Sequence, residues 1–389
     1  MDGAIFSFAT ARQILFGCGS VTKVGAQAAR WGRSALLTIG RDPARASALT
    51  GALARCGVAW TIFQVTGEPE LDHVAAGARL ARENGCDLVI GLGGGSVLDA
   101  AKAIAALAVN VEPIETYLEV IGSAKPLDRT PLPCIAIPTT AGTGSEVTRN
   151  AVLRCPRRRI KVSLRSPEML PCLAAVDPEL TIGLPAAITA ATGADALTQL
   201  LEAFVSPQAN PITDALCRHG LPLVARALPI IFSGNEEITA RTDMALASLF
   251  SGLALSNAGL GAVHGIAGPL GGMLAAPHGA LCGRLLPHLT AANVAALQRR
   301  DPNSPALGRY DEASRLLTGS SRATARDGVI WLQELIGALA IPSLEAWGLN
   351  SDAIPDLLAG ARQASSMQGN PITLSDAELI EAIFASLSG

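Results

Sequence analysis

Charge and aromatic surface are scarce in this chain. Asp, Glu, Lys and Arg together make up only 16% of its 389 residues, and Phe, Trp and Tyr only 4%. A formal net charge of -3 gives no electrostatic pull toward nucleic acid or an anionic bilayer. The densest basic run, Arg157-Arg158-Arg159, is explained by a solvated loop as well as by a phosphate contact. Eight cysteines are present (Cys18, Cys56, Cys86, Cys134, Cys155, Cys172, Cys217, Cys282), but none forms a C-x-x-C pair. That spacing argues against a disulfide framework or a zinc ribbon and reads as reduced thiols in a cytoplasmic protein. The opening MDGAIFSFATARQ lacks a charged start followed by an apolar core, so no signal peptide is expected. Apolar stretches elsewhere are broken by charge, glycine or proline before they reach bilayer length. What remains is a soluble, compact class, 49% hydrophobic and long enough for two domains with a core each.

Glycine, by contrast, is concentrated where it can carry chemistry. LGGGSVLDAAK, Leu92 to Lys102, follows the apolar run Leu88-Val89-Ile90 and leads into a helical pattern. A strand, a turn without side chains and a helix N-terminus form an anion site, because free N–H groups and the helix dipole both attract negative charge. PTTAGTGSE, Pro138 to Glu146, repeats the arrangement after Cys134 to Ile137 and adds hydroxyls. A lone glycine turn reads equally well as a plain turn. Two of them, each after a strand, point to a nucleotide or phosphate.

The apolar periodicity places strands at Ala4–Phe8 and Gln13–Phe16, then at Ser34–Ile39, Trp60–Val65, Asp87–Ile90, Leu132–Ile137 and Leu173–Val176. Helices are expected from Ser20 to about Trp31 and at Pro43–Cys56, Glu70–Asn84 and Val97–Val109. Strands alternating with helices of this length make an α/β domain with a parallel sheet, whose ligands sit at the carboxyl ends of the strands. After Leu184-Pro185 the period becomes helical throughout, at Ala186–Phe204, Asp214–Leu228, Glu237–Leu255, Val329–Ala338 and Ile354–Ala364. The expected division is residues 1–183, α/β, and 184–389, all-α.

Histidine is rare, five in all, yet His264, His278 and His288 fall in one short region. Pro269, Gly271, Gly272 and Pro277 make one straight helix through His264 and His278 improbable, so two adjacent segments are expected to let them converge. Asp195 and Gln199 stand one helical turn apart on one face. One carboxylate and two imidazoles make a first shell for Zn2+ or Fe2+, to which Gln199 adds a weak amide oxygen. Core roles remain open: Asp195 at a helix N-terminus, and each imidazole as a hydrogen-bonded interior group. His73 and His219 read as surface residues, and His288 has no evident partner.

These residues resemble the iron-containing (group III) alcohol dehydrogenases, including the maleylacetate reductase branch. GGGSVLDAAKA, PTTAGTGSEVT, LPCLAAVDPELTIGLP, GADALTQLLEAFVS, NPITDAL and AVHGIAGPLGG with PHG carry the resemblance, in order, over most of Gly17 to His288. It implies an α/β dinucleotide-binding domain, a helical metal and substrate domain and a cleft between them, an architecture shared with dehydroquinate synthase. It implies that Gly94, Gly95, Ser96, Asp99, Thr139, Thr140 and Ser145 face NAD or NADP. It places the metal ligands on Asp195, Gln199, His264 and His278, and it implies a homodimer.

Two departures stand out. The family's second ligand is usually His, where this chain has Gln199, and another His usually stands where this chain has Gly268. An amide is a poor ligand, so weakened metal binding is expected. After Ile39, where many NAD-preferring relatives carry Asp, this chain has Gly40 and then Arg41, which removes repulsion of a 2′-phosphate and supplies a cation for it. Asp42 follows and works against that effect. NADP is therefore expected to be accepted at least as well as NAD. The expected reaction is hydride transfer to or from a small alcohol, aldehyde or keto acid. Without a metal, His264 or His278 must supply the proton. The alternatives are a metal-independent maleylacetate-type reductase, a lyase and a non-catalytic nucleotide binder.

Overall fold

The computed structural model describes residues 5–158 and 160–387. The chain forms two compact units. One comprises Thr10–Thr140 and Gly144–Ile182; the other holds the residues up to Ala9, Ala141–Thr143 and everything from Gly183.

The first unit is built on strands β1 (Ile14–Phe16), β2 (Ser34–Ile39), β3 (Ala59–Gln64), β4 (Leu88–Gly93) and β5 (Cys134–Pro138), a hairpin of β6 (Asn150–Cys155) and β7 (Ile160–Arg165), and β8 (Leu173–Val176). Six of them form one parallel sheet in the order β1-β8-β5-β4-β2-β3. The register pairs Leu36 with Val89 and Ile90 with Ile135. The central strands are apolar on both faces because both are covered. Leu36 and Val89 pack with the helices α3 (Leu71–Glu83) and α4 (Gly95–Leu107). Leu37 and Ile90 pack with α1 (Val24–Ala28) and α2 (Ser47–Arg55).

Two expectations need correction, and one element is new. Ala4 lies outside the described residues, and Ile5–Phe8 form no strand, because no neighbouring strand among the described residues supplies a ladder. The segment expected to be helical from Ser20 to Trp31 is a 3-10 turn, Ser20–Lys23, followed by the short α1. The antiparallel β6–β7 hairpin was not expected. Its burial alternates, with Ala151, Leu153, Val162 and Leu164 buried against the α4 side of the core. Arg157 and Arg158 sit at its exposed tip, and Arg159 lies outside the described residues.

The helical unit contains α5 (Ala186–Val205), α6 (Pro211–Phe232), α7 (Ile238–Ala258), α8 (Ala262–Met273), α9 (His278–Arg300), α10 (Pro305–Thr318), α11 (Ala325–Ala338), α12 (Ile354–Gln363) and α13 (Asp376–Leu387). Nearly every residue of α5 from Thr189 onward is buried, so it is the axis around which α6, α7 and α9 pack. Helix α6 is long and apolar enough to cross a membrane by composition. Here its Leu221, Val224 and Leu228 stripe lies in the core with α5, and Asn210 caps its start. The chain bends by 100° between α7 and α8, which turns α8 back toward α5.

Candidate active site

In the α/β unit both glycine turns leave the carboxyl ends of neighbouring strands, β4 and β5. A Cβ on Gly93 would lie 2.5 Å from Val97, so only glycine lets α4 start this close to its strand. Gly94 precedes α4 with extended backbone; no side chain caps the helix and its first turn holds no acid. Gly94, Gly95 and Ser96 are partly exposed, leaving the positive end of α4 approachable by an anion. Thr139 donates its N–H to Gly93 O at 2.9 Å, and the half-buried Thr140 stands across from Gly94.

Asp99 and Ser145 are engaged with each other. Ser145 Oγ donates to Asp99 at 2.5 Å, and the other carboxylate oxygen accepts from Val152 N–H at 2.9 Å. Lys102, fully buried, completes the joint. Its Nζ pairs with Asp99 at 3.1 Å and donates to Ser145 O at 2.9 Å, Thr148 Oγ1 at 2.9 Å and Asn150 O at 2.5 Å. Lys102 closes the first glycine motif in the sequence, where nothing but its packing reveals this role. At the end of β2, Gly40 is half-buried and Arg41 exposed, while Asp42 accepts from Ala44 N–H at 3.0 Å and caps the next turn.

In the helical unit the second group of residues converges from three helices. Asp195 and Gln199 lie on the buried face of α5, His264 in the first turn of α8, and His278 at the first position of α9. The two histidines do sit on separate segments. A Cβ on Gly279 would fall 2.1 Å from Ala191 O and 2.9 Å from Asp195 Cβ, so this glycine is what lets α9 begin against α5. His264 Nε2 lies 3.3 Å from Asp195 Oδ1, and the His264 and His278 ring centroids are 5.6 Å apart. Cys282, one turn along α9, brings its sulfur 3.6 Å from His278 Nε2. One donor atom each from Asp195, His264, His278 and Cys282 lies within 4.8 Å of all the others.

Behind this group stands Glu202. It accepts from His264 Nδ1 at 2.6 Å and from Val263 N–H at 2.6 Å. Sequence reasoning missed Glu202 and Cys282, although both follow a helical spacing: Asp195, Gln199 and Glu202 share one face of α5, and Cys282 follows His278 by four. Gln199 points its oxygen at Ser251 Oγ, 2.7 Å away, and its Nε2 donates to Thr143 O at 3.5 Å. His73 and His219 are exposed, and His288 is half-buried on α9.

The electrostatics follow from burial among charges. Burial works against the Asp195 carboxylate, but the hydrogen bond from His264 and the charges of His278 and His264 hold it below its ordinary value. Burial also disfavours the His264 imidazolium, yet Cys282, Glu202 and Asp195 hold the ring well above the usual histidine range. Burial pushes the Cys282 thiol up to about 11, against the opposing charge of His264. A carboxylate, two imidazoles and a thiol in one buried cluster match the donor types of a divalent transition-metal site.

Comparison with known proteins gives consistent matches. The family model described as iron-containing alcohol dehydrogenase matches residues 11–178, and that of the Fe-containing alcohol dehydrogenase family, C-terminal, matches 189–387. Alcohol dehydrogenase 4 of Saccharomyces cerevisiae is 35% identical over 316 residues, 81% of this chain and 80% of the yeast protein. A crystal structure of 1,3-propanediol oxidoreductase superposes with a TM-score of 0.89 at 31% identity, over 98% of this chain and 100% of its own. Sulfoacetaldehyde reductase from Bifidobacterium kashiwanohense, solved in complex with NAD+, gives 0.88 at 29% identity, over 99% and 100%.

Proposed function

The chain belongs to the iron-containing alcohol dehydrogenase family, and from that premise we propose an NAD(P)-dependent enzyme with a divalent cation at the Asp195 cluster. It is an oxidoreductase, and its substrates are small alcohols or aldehydes. The finer reading is hydride transfer between nicotinamide and the oxygen-bearing carbon of such a compound, with keto acids included.

The observation that carries this reading is the convergence of four donor atoms within 4.8 Å in the helical core. Their chemistry fits a cation, and Asp195, His264 and His278 are the residues proposed to hold it, with Gln199 as a weaker contact. A bound cation would supply Lewis acidity at the substrate oxygen. Glu202 keeps the proton of His264 on Nδ1 and so leaves Nε2 facing Asp195 and the cluster, the usual carboxylate–histidine arrangement of metal sites. Asp195 contributes the negative charge that such a site needs.

The dinucleotide reading rests on the uncapped α4 N-terminus, with Gly94, Gly95 and Ser96 as phosphate contacts and Thr139 and Thr140 beside them. Asp99 and Ser145 are proposed to act by fixing the second glycine turn to α4. For NADP, Arg41 is the proposed 2′-phosphate partner. Asp42 works against it by its charge, although its Oδ1 is engaged with Ala44 N–H as a cap. A preference for NADH of about tenfold or more in kcat/KM overturns that part.

The engagement of Gln199 with Ser251 and Thr143 favours a second reading, a metal-independent carbonyl reductase. There His264, hydrogen-bonded to Glu202 and Asp195, or the half-buried His278 gives the proton to the carbonyl oxygen. Metal content per chain, measured on protein purified without chelator or nickel resin, separates the two. Near-stoichiometric metal whose removal abolishes turnover supports the first reading. Turnover that persists with metal far below one per chain supports the second.

A homodimer is proposed on the apolar, exposed Ile5 and Phe6 ahead of β1. A cytoplasmic location is proposed on the eight free cysteines.

A further inference from the structure

The cation reading leaves the fourth protein donor to be decided between Gln199 and Cys282. We infer that Cys282, not Gln199, completes the site, giving an Asp195–His264–His278–Cys282 set that favours zinc over ferrous iron. The inference rests on the cation site proposed above and adds to it the identity of a ligand and of the metal.

The geometry carries it. Metal–ligand bonds of about 2.0–2.3 Å around a tetrahedron set donor atoms about 3.3–3.8 Å apart. Asp195 Oδ1 and His264 Nε2 are 3.3 Å apart, and His278 Nε2 and Cys282 Sγ are 3.6 Å apart. These are two opposite edges of such a tetrahedron. The four donors all lie within 4.8 Å of one another, so the remaining edges need to shorten by at most about 1.5 Å. That lies within reach of side-chain torsions. Helix α9 fixes the second edge by construction, since its positions 278 and 282 are one turn apart. Gly279 fixes the separation of that edge from α5.

Gln199 is the poorer candidate on two counts. Its amide oxygen accepts from Ser251 Oγ and its amide nitrogen donates to Thr143 O. An amide oxygen is also a weak, uncharged ligand, whereas a thiolate is a strong and soft one that suits zinc. On binding the cation Cys282 releases its thiol proton to solvent, one proton per ion, and the S–H bond is replaced by a sulfur–metal bond. Zinc expands to five-coordinate in some catalytic sites, and a substrate oxygen would enter beside the four protein ligands in that way.

Cobalt(II) chloride added to the full-length protein after chelator treatment is the test, because cobalt stands in for zinc and reports its ligands optically. The expected wild-type spectrum has visible d–d bands and a near-ultraviolet sulfur-to-cobalt charge-transfer band. In Cys282→Ser the charge-transfer band is lost, the d–d bands remain, and cobalt affinity in chelator competition falls by at least about tenfold. In Gln199→Ala the charge-transfer band stays. Zinc K-edge absorption of the wild-type protein needs no variant and should read one sulfur at about 2.3 Å. Cobalt bound without a charge-transfer band, or a zinc shell of nitrogen and oxygen alone, overturns the Cys282 assignment and leaves the cation reading standing. Failure to bind cobalt or zinc at all overturns both.

Discussion

Glu202 accepts a 2.6 Å hydrogen bond from Nδ1 of His264, while Nε2 of the same ring lies 3.3 Å from Asp195. One imidazole is thus gripped between two buried carboxylates, and its two nitrogens have different tasks. Glu202→Gln keeps the shape but weakens the hold on Nδ1–H and lowers the basicity of Nε2. Metal affinity, read by chelator competition, is expected to fall by about 10–100-fold while the far-ultraviolet circular dichroism stays unchanged. Unchanged affinity would remove Glu202 from the site.

Lys102 is buried with three oxygen acceptors and the Asp99 carboxylate around its ammonium. Lys102→Met leaves those acceptors without a donor and Asp99 without its counter-charge. Urea unfolding should show a loss of at least about 3 kcal/mol. Because Lys102 ties α4 to the second glycine turn, NAD(H) affinity should weaken in the same variant.

Burial pushes the Glu146 carboxyl from 4.5 up to about 7. Since the folded protein holds this proton more tightly than the unfolded chain, its contribution to stability is complete below pH 4.5 and is lost as pH rises to about 7. Glu146→Gln removes that loss. The variant is expected to exceed the wild type in stability above pH 7 by up to about 3 kcal/mol and to match it near pH 4.5. Chemical denaturation at three or four pH values checks the slope.

Two glycines should respond in opposite directions to the same substitution. Gly93→Ala drives a methyl to 2.5 Å from Val97 and is expected to cost about 1–3 kcal/mol. Gly308 sits inside α10 with nothing within 4 Å of an added Cβ, so Gly308→Ala should gain about 0.5–1 kcal/mol from helix propensity alone. Thermal melts of the two variants measure both effects.

Much of the fold was legible because its signals are local. The parallel strands from β2 to β5 read as short apolar runs, since both faces of the sheet are covered. The glycine turns read as punctuation between a strand and a helix. The β6–β7 hairpin was missed because its alternation is short and interrupted by arginines. Strand Ala4–Phe8 was expected on apolar composition, yet a strand also needs a partner, and Ile5–Phe8 have none among the described residues. Helices α10 and α13 lie outside the expected helices, although each buries a regular stripe, Ala306, Tyr310, Ala313 and Leu317 in the one and Leu379, Ala382 and Ile383 in the other.

The sequence by itself determined the α/β-then-helical order, the placement of the glycine turns and the candidate set of Asp195, His264 and His278. Each of those follows from residue type and periodicity along one stretch of chain. Only the tertiary structure decided which side chains complete the set. Gln199 and Glu202 share a helix face with Asp195, but packing turns Gln199 toward Ser251 and Glu202 toward His264. Cys282 joins because Gly279 lets α9 approach α5 so closely. Spacing along a helix fixes the face a residue occupies. What meets that face depends on how closely other helices can pack, and that is set by contacts far apart in sequence.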